Sequence, residues 1–211
     1  MIRLENLCKQ YKQQMVIDHL TVTFDKGTIY GLVGPNGCGK TTLMRCICGF
    51  TRPTSGTVTV NGKLIGKDCD FAPSTGIIIE TPGFLPHDSA QRNLAILAGI
   101  SGQATKERID EVIRLVGLDP ENRKPVGKYS LGMRQRLGIA QAIMEDPQIL
   151  ILDEPFNGLD KDGVKDIHAL LQDQKTHSKT IILASHSAAD ISQACDIVYE
   201  MKNGTLRQID V

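Results

Sequence analysis

The chain has 211 residues, with 24 Lys and Arg balanced by 24 Asp and Glu, six Cys, no Trp and 4% aromatic residues. That is one domain's worth of chain or slightly more, able to bury a core without covalent staples, and its zero formal charge supplies no electrostatic excess for nucleic acid or an anionic membrane. Its longest apolar runs, over 76–79 and 149–152 among others, fall far short of the roughly 18 to 20 residues that span a bilayer, which excludes a channel.

The first eleven residues carry Arg3, Glu5 and Lys9 in place of a continuous apolar stretch, so no secretory signal is expected and the cytoplasm is the expected compartment. Short extended runs follow at 2–7, at 16–24 with Leu20, Val22 and Phe24 alternating, and at 28–33. The dipeptide Asn61-Gly62 between 57–60 and 63–65 predicts a hairpin. From about 89 to 145 the apolar period becomes helical, with Leu94, Leu97 and Ala98, then Ile109, Val112, Ile113 and Val116. The pattern then alternates: a strand over 149–152, a helix from about Lys161, a strand over 180–184, a helix from Ser187, and strands over 197–201 and 205–209. This predicts an α/β fold with a mainly parallel core, an antiparallel N-terminal part and an inserted helical stretch. The cysteines, Cys8, Cys38, Cys46, Cys48, Cys69 and Cys195, form no paired framework and are read as reduced thiols. Cys46 and Cys48 are read as small apolar side chains on a helix and not as metal ligands.

Gly34, Pro35, Asn36, Gly37, Cys38, Gly39, Lys40 and Thr41 follow the spacing G-x-x-x-x-G-K-[ST] between a strand and a helical stretch. Glycines there let successive backbone N–H groups converge on phosphate oxygens, and the following helix adds the positive end of its dipole. Lys40 supplies a mobile charge to the β- and γ-phosphates, and the Thr41 hydroxyl is placed for Mg²⁺. A nucleotide polyphosphate with Mg²⁺ is therefore the expected ligand. Cys38 is read either as a reactive thiol beside a helix N-terminus or as a tolerated small side chain.

Ligands of parallel sheets gather at the carboxyl ends of strands. The 149–152 strand delivers Asp153, suited to Mg²⁺, and Glu154, suited to polarise the attacking water. The 180–184 strand leads to His186, placed to sense the γ-phosphate. The 77–79 strand leads to Glu80, which reaches metal or water or else is a solvated loop carboxylate. Ser130, with Gly132, reads as the N-cap of a helix whose Leu137, Ala140, Ile143 and Met144 form an apolar stripe. That makes a second anion site in a chain with one phosphate loop, which implies two nucleotides or a nucleotide shared between two copies.

In these residues the whole chain resembles the ATP-binding subunits of ABC transporters. Residues 34–42, Thr42 included, resemble the Walker A motif, 129–135 the ABC signature, 149–154 the Walker B strand, 158–160 the D-loop with Asp160, and His186 the switch histidine. Tyr11 stands where the family has an aromatic that stacks on adenine. The resemblance implies a P-loop NTPase core over 1–80 and 147–211, with a helical subdomain inserted over about 85–146. It also implies two copies sandwiching two ATP molecules and driving separate transmembrane permease subunits from the inner face of the membrane.

Glu80 replaces the family's usual Gln, and Met133 stands where many members have Gln. Both departures resemble the bacitracin-resistance and lantibiotic-immunity branch of exporters. A carboxylate at Glu80 accepts from water or Mg²⁺ but cannot donate an amide hydrogen. The leading expectation is an ATPase subunit for export of a peptide antibiotic or similar amphiphile, and the alternative a soluble mechanical or regulatory ATPase. The segment 80–97, with Pro82, Phe84, Leu85 and Pro86, is expected to meet a permease, unless Phe84 and Leu85 close the helical part's own core.

Overall fold

The computed structural model describes residues 1–80, 82–186 and 188–210. The elements run β1 (Ile2–Tyr11), β2 (Gln14–Phe24), β3 (Ile29–Val33), α1 (Lys40–Cys48), β4 (Ser55–Val60), β5 (Lys63–Leu64) and β6 (Thr75–Ile78). After these come α2 (Ala90–Ser101), α3 (Lys106–Leu115), α4 (Leu131–Ile143), β7 (Ile149–Asp153), α5 (Lys161–Thr176), β8 (Thr180–Ser185), α6 (Ala188–Ala194), β9 (Ile197–Lys202) and β10 (Thr205–Ile209). The expected helix start at Ser187 lies outside the described residues.

Two sheets form. One is antiparallel in the order β2-β1-β4-β5, and the other runs β10-β9-β3-β8-β7-β6, parallel except for the β9–β10 pair. The continuous apolar runs of β7 and β8 follow from burial on both faces. Leu150, Leu152, Ile181 and Leu183 pack with Leu137 and Ile143 of α4, Ile167 and Leu171 of α5, and Ile191 of α6. The alternate residues Ile149, Ile151, Ile182 and Ala184 pack with Leu43 and Ile47 of α1 and with Leu4, Phe24 and Val58 of the antiparallel sheet. One pair of strands thus holds together two hydrophobic layers.

The helical stretch consists of the three helices α2, α3 and α4. Ser89, Thr105 and Ser130 cap their N-termini by accepting the N–H of Arg92, Arg108 and Met133, contacts typically worth about 1 kcal/mol each. A 3-10 turn at Val126–Lys128 lies between α3 and α4. β1 runs on to Tyr11, beyond the expected 2–7, because it is bulged: Asn6 has φ +47° and the pairing with β2 shifts register three times. The bulges break the period-2 signal, and the polar Lys9 and Gln10 hide the continuation. Among the described residues, no helix is long and apolar enough to cross a membrane.

Candidate functional site

Strands β3, β8, β7 and β6 are parallel neighbours in that order, so their carboxyl ends lie side by side along one edge. The 34–41 loop follows β3, His186 follows β8, Asp153 ends β7 with Glu154 next, and Glu80 lies two residues beyond β6. Topology alone thereby assembles residues that are far apart in the chain.

The loop hands over to α1 at Gly39, whose φ of +114° is a conformation that side-chain-bearing residues rarely adopt. A Cβ there would lie 2.7 Å from Met201 Cε and 3.0 Å from the Val16 carbonyl oxygen. No side chain caps α1, so the N–H groups of its first turn remain available to an outside anion. Pro35, Asn36 and Gly37 are exposed, while Lys40 is buried. Its ammonium donates to the carbonyls of Gly34 at 2.7 Å and Pro35 at 3.3 Å and lies 4.0 Å from Cys38 Sγ. Thr42 sits in the same first turn.

Thr41 Oγ1 donates to Asp153 Oδ2 at 2.7 Å. Burial pushes the Asp153 carboxyl above the usual carboxylate range, the Thr41 hydroxyl pulls it back, and the Glu154 and Glu80 charges add to the rise against Lys40. Two hard oxygen donors in contact, one a buried carboxylate short of cationic compensation, fit Mg²⁺ in chemistry. Glu154 bends sharply off β7 with φ +50°, and its N–H is bonded to the Ala184 carbonyl at 2.8 Å. Its Oε1 accepts from the His186 backbone N–H at 3.0 Å, while Oε2 meets His186 Nδ1 at 3.0 Å and the Ser185 hydroxyl at 3.2 Å. The carboxylate is held from two sides of the β8 end.

Glu80 stands apart from the Thr41–Asp153 contact in one respect: its Oε1 accepts from Arg45 Nη2 at 2.6 Å, and its φ is +64°. Tyr11, half-exposed at the end of β1, carries the Lys9 ammonium 4.7 Å from its ring centroid. Its hairpin is carried to the loop by β2, since Val16 is what Gly39 packs against.

Ser130, Gly132 and Asp160 come together elsewhere in the chain. A Cβ on Gly132 would lie 2.5 Å from the Gly158 carbonyl oxygen, so only glycine lets α4 approach the 158–160 turn this closely. Asp160 accepts the Gly163 N–H at 2.8 Å and caps α5. Buried Gln135 donates to the Glu154 carbonyl at 3.1 Å, tying α4 to the end of β7. Burial pushes the Cys46 and Cys48 thiols up to about 11 and about 12, as expected of inert core side chains.

A groove of about 670 Å³ lies on another side of α4, between residues 74–79 with Pro82 and Gly83 and α2. Ile77, Ile79, Pro82, Leu97, Phe50 and Ile100 line it, the last two 52% and 80% exposed. Phe50 stacks edge-on with exposed Phe71 at 5.9 Å. Of the apolar residues singled out in the 80–97 segment, Phe84 packs against the core and Leu85 is exposed. Sequence reasoning missed Arg45, Phe50, Phe71 and Ile100; three isolated apolar residues and one helix Arg leave no periodic signal.

Fold and site together define a P-loop ATPase. The ABC transporter family model matches residues 17–157. YybJ of Bacillus subtilis, an uncharacterized ABC transporter ATP-binding protein, is 47% identical over 98% of this chain and 94% of its own length. The bacitracin transport ATP-binding protein BcrA of Bacillus licheniformis is 43% identical over 97% of this chain and 68% of its own. The lantibiotic transport ATP-binding protein SrtF of Streptococcus pyogenes is 33% identical over 94% and 85%. A solved ATP-binding subunit of an ABC transporter superposes with a TM-score of 0.89 at 26% identity, covering 100% of this chain and 90% of that one. A dimeric bacterial ABC transporter cassette shares the fold at 0.90 and 21% identity, covering 100% and 98%. The chain belongs to the ABC transporter family and is one of its ATP-binding ATPases.

Proposed function

We propose that this chain hydrolyses ATP as a homodimer to energise export of a peptide antibiotic or similar amphiphile through separate permease subunits, on the inner face of the cell membrane. The observation that carries the hydrolytic part is the adjacency of the Thr41–Asp153 contact to the Glu154–His186 pair at the ends of neighbouring strands. The likeness to BcrA and SrtF supports the export of a peptide antibiotic.

In this reading the open N-terminus of α1 and residues Gly34 to Thr42 hold the phosphates of ATP, and Lys40 leaves its own loop carbonyls for the γ-phosphate. Tyr11 stacks on adenine, its far face braced by Lys9. Thr41 and Asp153 are the Mg²⁺ ligands, and the ion, when bound, neutralises phosphate charge. Glu154 polarises the attacking water, and His186 and Ser185 keep its carboxylate oriented. Ser130 and Gly132 at the exposed start of α4, with Asp160 beside them, complete the site of the other copy. The parts 1–80 and 147–211 form the catalytic core, with about 85–146 as the subdomain that carries α4 to that second site. The groove edged by Phe50 and Ile100 suits an apolar segment of a permease.

Deleting the gene should sensitise cells to a peptide antibiotic, with rescue by the wild-type chain but not by Glu154→Gln, and a permease should co-purify with the chain. An active ATPase that leaves susceptibility unchanged and captures no membrane subunit would favour the soluble mechanical ATPase instead.

A further inference from the structure

Three carboxylates crowd the place where a polyphosphate must arrive. Asp153 and Glu154 are adjacent at the end of β7, and Glu80 stands at the neighbouring strand end, close enough for its charge to be felt at Asp153. Thr41 and Lys40 answer Asp153, and His186 and Ser185 answer Glu154. Glu80 has a different partner: Arg45, one helical turn after Thr41 on α1, whose Nη2 lies 2.6 Å from Oε1.

We propose that Arg45 is a positioning residue for the ATPase reaction, holding the Glu80 carboxylate and cancelling its charge so that a carboxylate is tolerated beside the incoming phosphates. The proposal rests on the ATPase reading above. An unpaired Glu80 would repel ATP and its hydrolysis intermediates through space, because like charges near a partly shielded cleft interact over several ångströms. Arg45 is placed to prevent this without touching the nucleotide itself. It has a second attachment, since its carbonyl accepts the N–H of Phe50 at 2.9 Å and of Thr51 at 3.2 Å. The residue therefore spans from the strand-end carboxylates to the wall of the groove. Both side chains are partly solvated, 39% and 64% exposed, so the pair is weak, reversible and sensitive to salt.

The test is a double-mutant cycle on the full chain, reading KM for ATP and kcat separately. Arg45→Gln should raise KM about three- to fivefold at low salt, as expected for a partly exposed charge pair, with a smaller change in kcat. The increase should shrink in high salt. Arg45→Lys should keep KM within about twofold of wild type, because the charge remains. The decisive variant is Arg45→Gln combined with Glu80→Gln: removing the carboxylate should bring KM back to that of Glu80→Gln alone. If the double variant keeps the raised KM, Arg45 acts by packing and the proposal is wrong. It also fails if Arg45→Gln leaves KM unchanged while Glu154→Gln abolishes turnover. A wild-type chain without ATPase activity would sink the underlying reading instead, so the two failures are distinguishable.

Discussion

Helices α1 and α4 are both marked in the sequence as anion sites, and they treat their N-termini in opposite ways. α1 starts after Gly39 with no side chain on its free N–H groups, whereas α4 starts at Ser130, whose hydroxyl already accepts the Met133 N–H at 3.2 Å. An open end is organised for a ligand that arrives from outside, at a cost to the isolated chain. A capped end is stable alone and gives up a hydroxyl contact only when a stronger acceptor competes for the same dipole. The difference fits a chain that holds the phosphates with α1 and offers α4 to a second copy.

The largest effect should come from α1. Lys40→Ala is expected to lower ATPase activity by roughly a hundredfold or more, the scale of losing one well-placed charged donor, in a steady-state phosphate-release assay. Gly39→Ala should do comparable damage for a different reason. It forces alanine to φ +114° with its Cβ 3.0 Å from the Val16 carbonyl oxygen, costing about 1–3 kcal/mol of strain visible in urea unfolding together with lost nucleotide binding. On α4, Ser130→Ala should cost about 1 kcal/mol of stability while nucleotide affinity of the single chain stays near wild type. Equal losses of affinity at both helix starts would erase the contrast between them.

The smallest effect concerns His168 on α5, which packs edge-on against Phe156 at 4.7 Å and whose buried Nε2 has no hydrogen-bond partner among the described residues. Burial lowers its pKa from the ordinary 6.5, with Asp190 opposing. The folded chain thus holds the neutral ring while the unfolded chain takes up a proton more readily. Stability should be fully present above the ordinary value and decline as pH falls below 6.5 toward the lowered folded value. Melting curves of wild type and His168→Phe across this range should diverge at the acid end, and parallel curves would show that the ring binds its proton equally well in both states.

Much of this was legible in the residues because the chemistry is local there. A phosphate loop must be contiguous, so Gly34 to Thr41 declared it, and β7 and β8 declared themselves as doubly buried strands. The ends of β1 and α1 were less legible, because bulges at Asn6 and a polar end at Lys9 and Gln10 break the strand period, and because α1 begins inside the loop at Lys40. The Arg45–Glu80 pair and the Phe50–Ile100 groove were invisible: each depends on elements distant in sequence whose approach only the sheet order β3-β8-β7-β6 decides. Ser130 was readable as a cap, but the closeness of Gly132 to Gly158 rests on what α4 packs against.

The central claim is that the site made by α1 and the strand ends is completed by α4 of a second copy. Glu154→Gln, which keeps the side chain's size but slows hydrolysis, should double in mass by size-exclusion light scattering when ATP is added. Adding Ser130→Glu to that background should abolish the doubling and leave ATP binding intact, because a carboxylate at the start of α4 would face the partner's γ-phosphate. A Glu154→Gln chain that binds ATP yet stays monomeric at saturating nucleotide, or one that dimerises equally well with Ser130→Glu, would contradict the account.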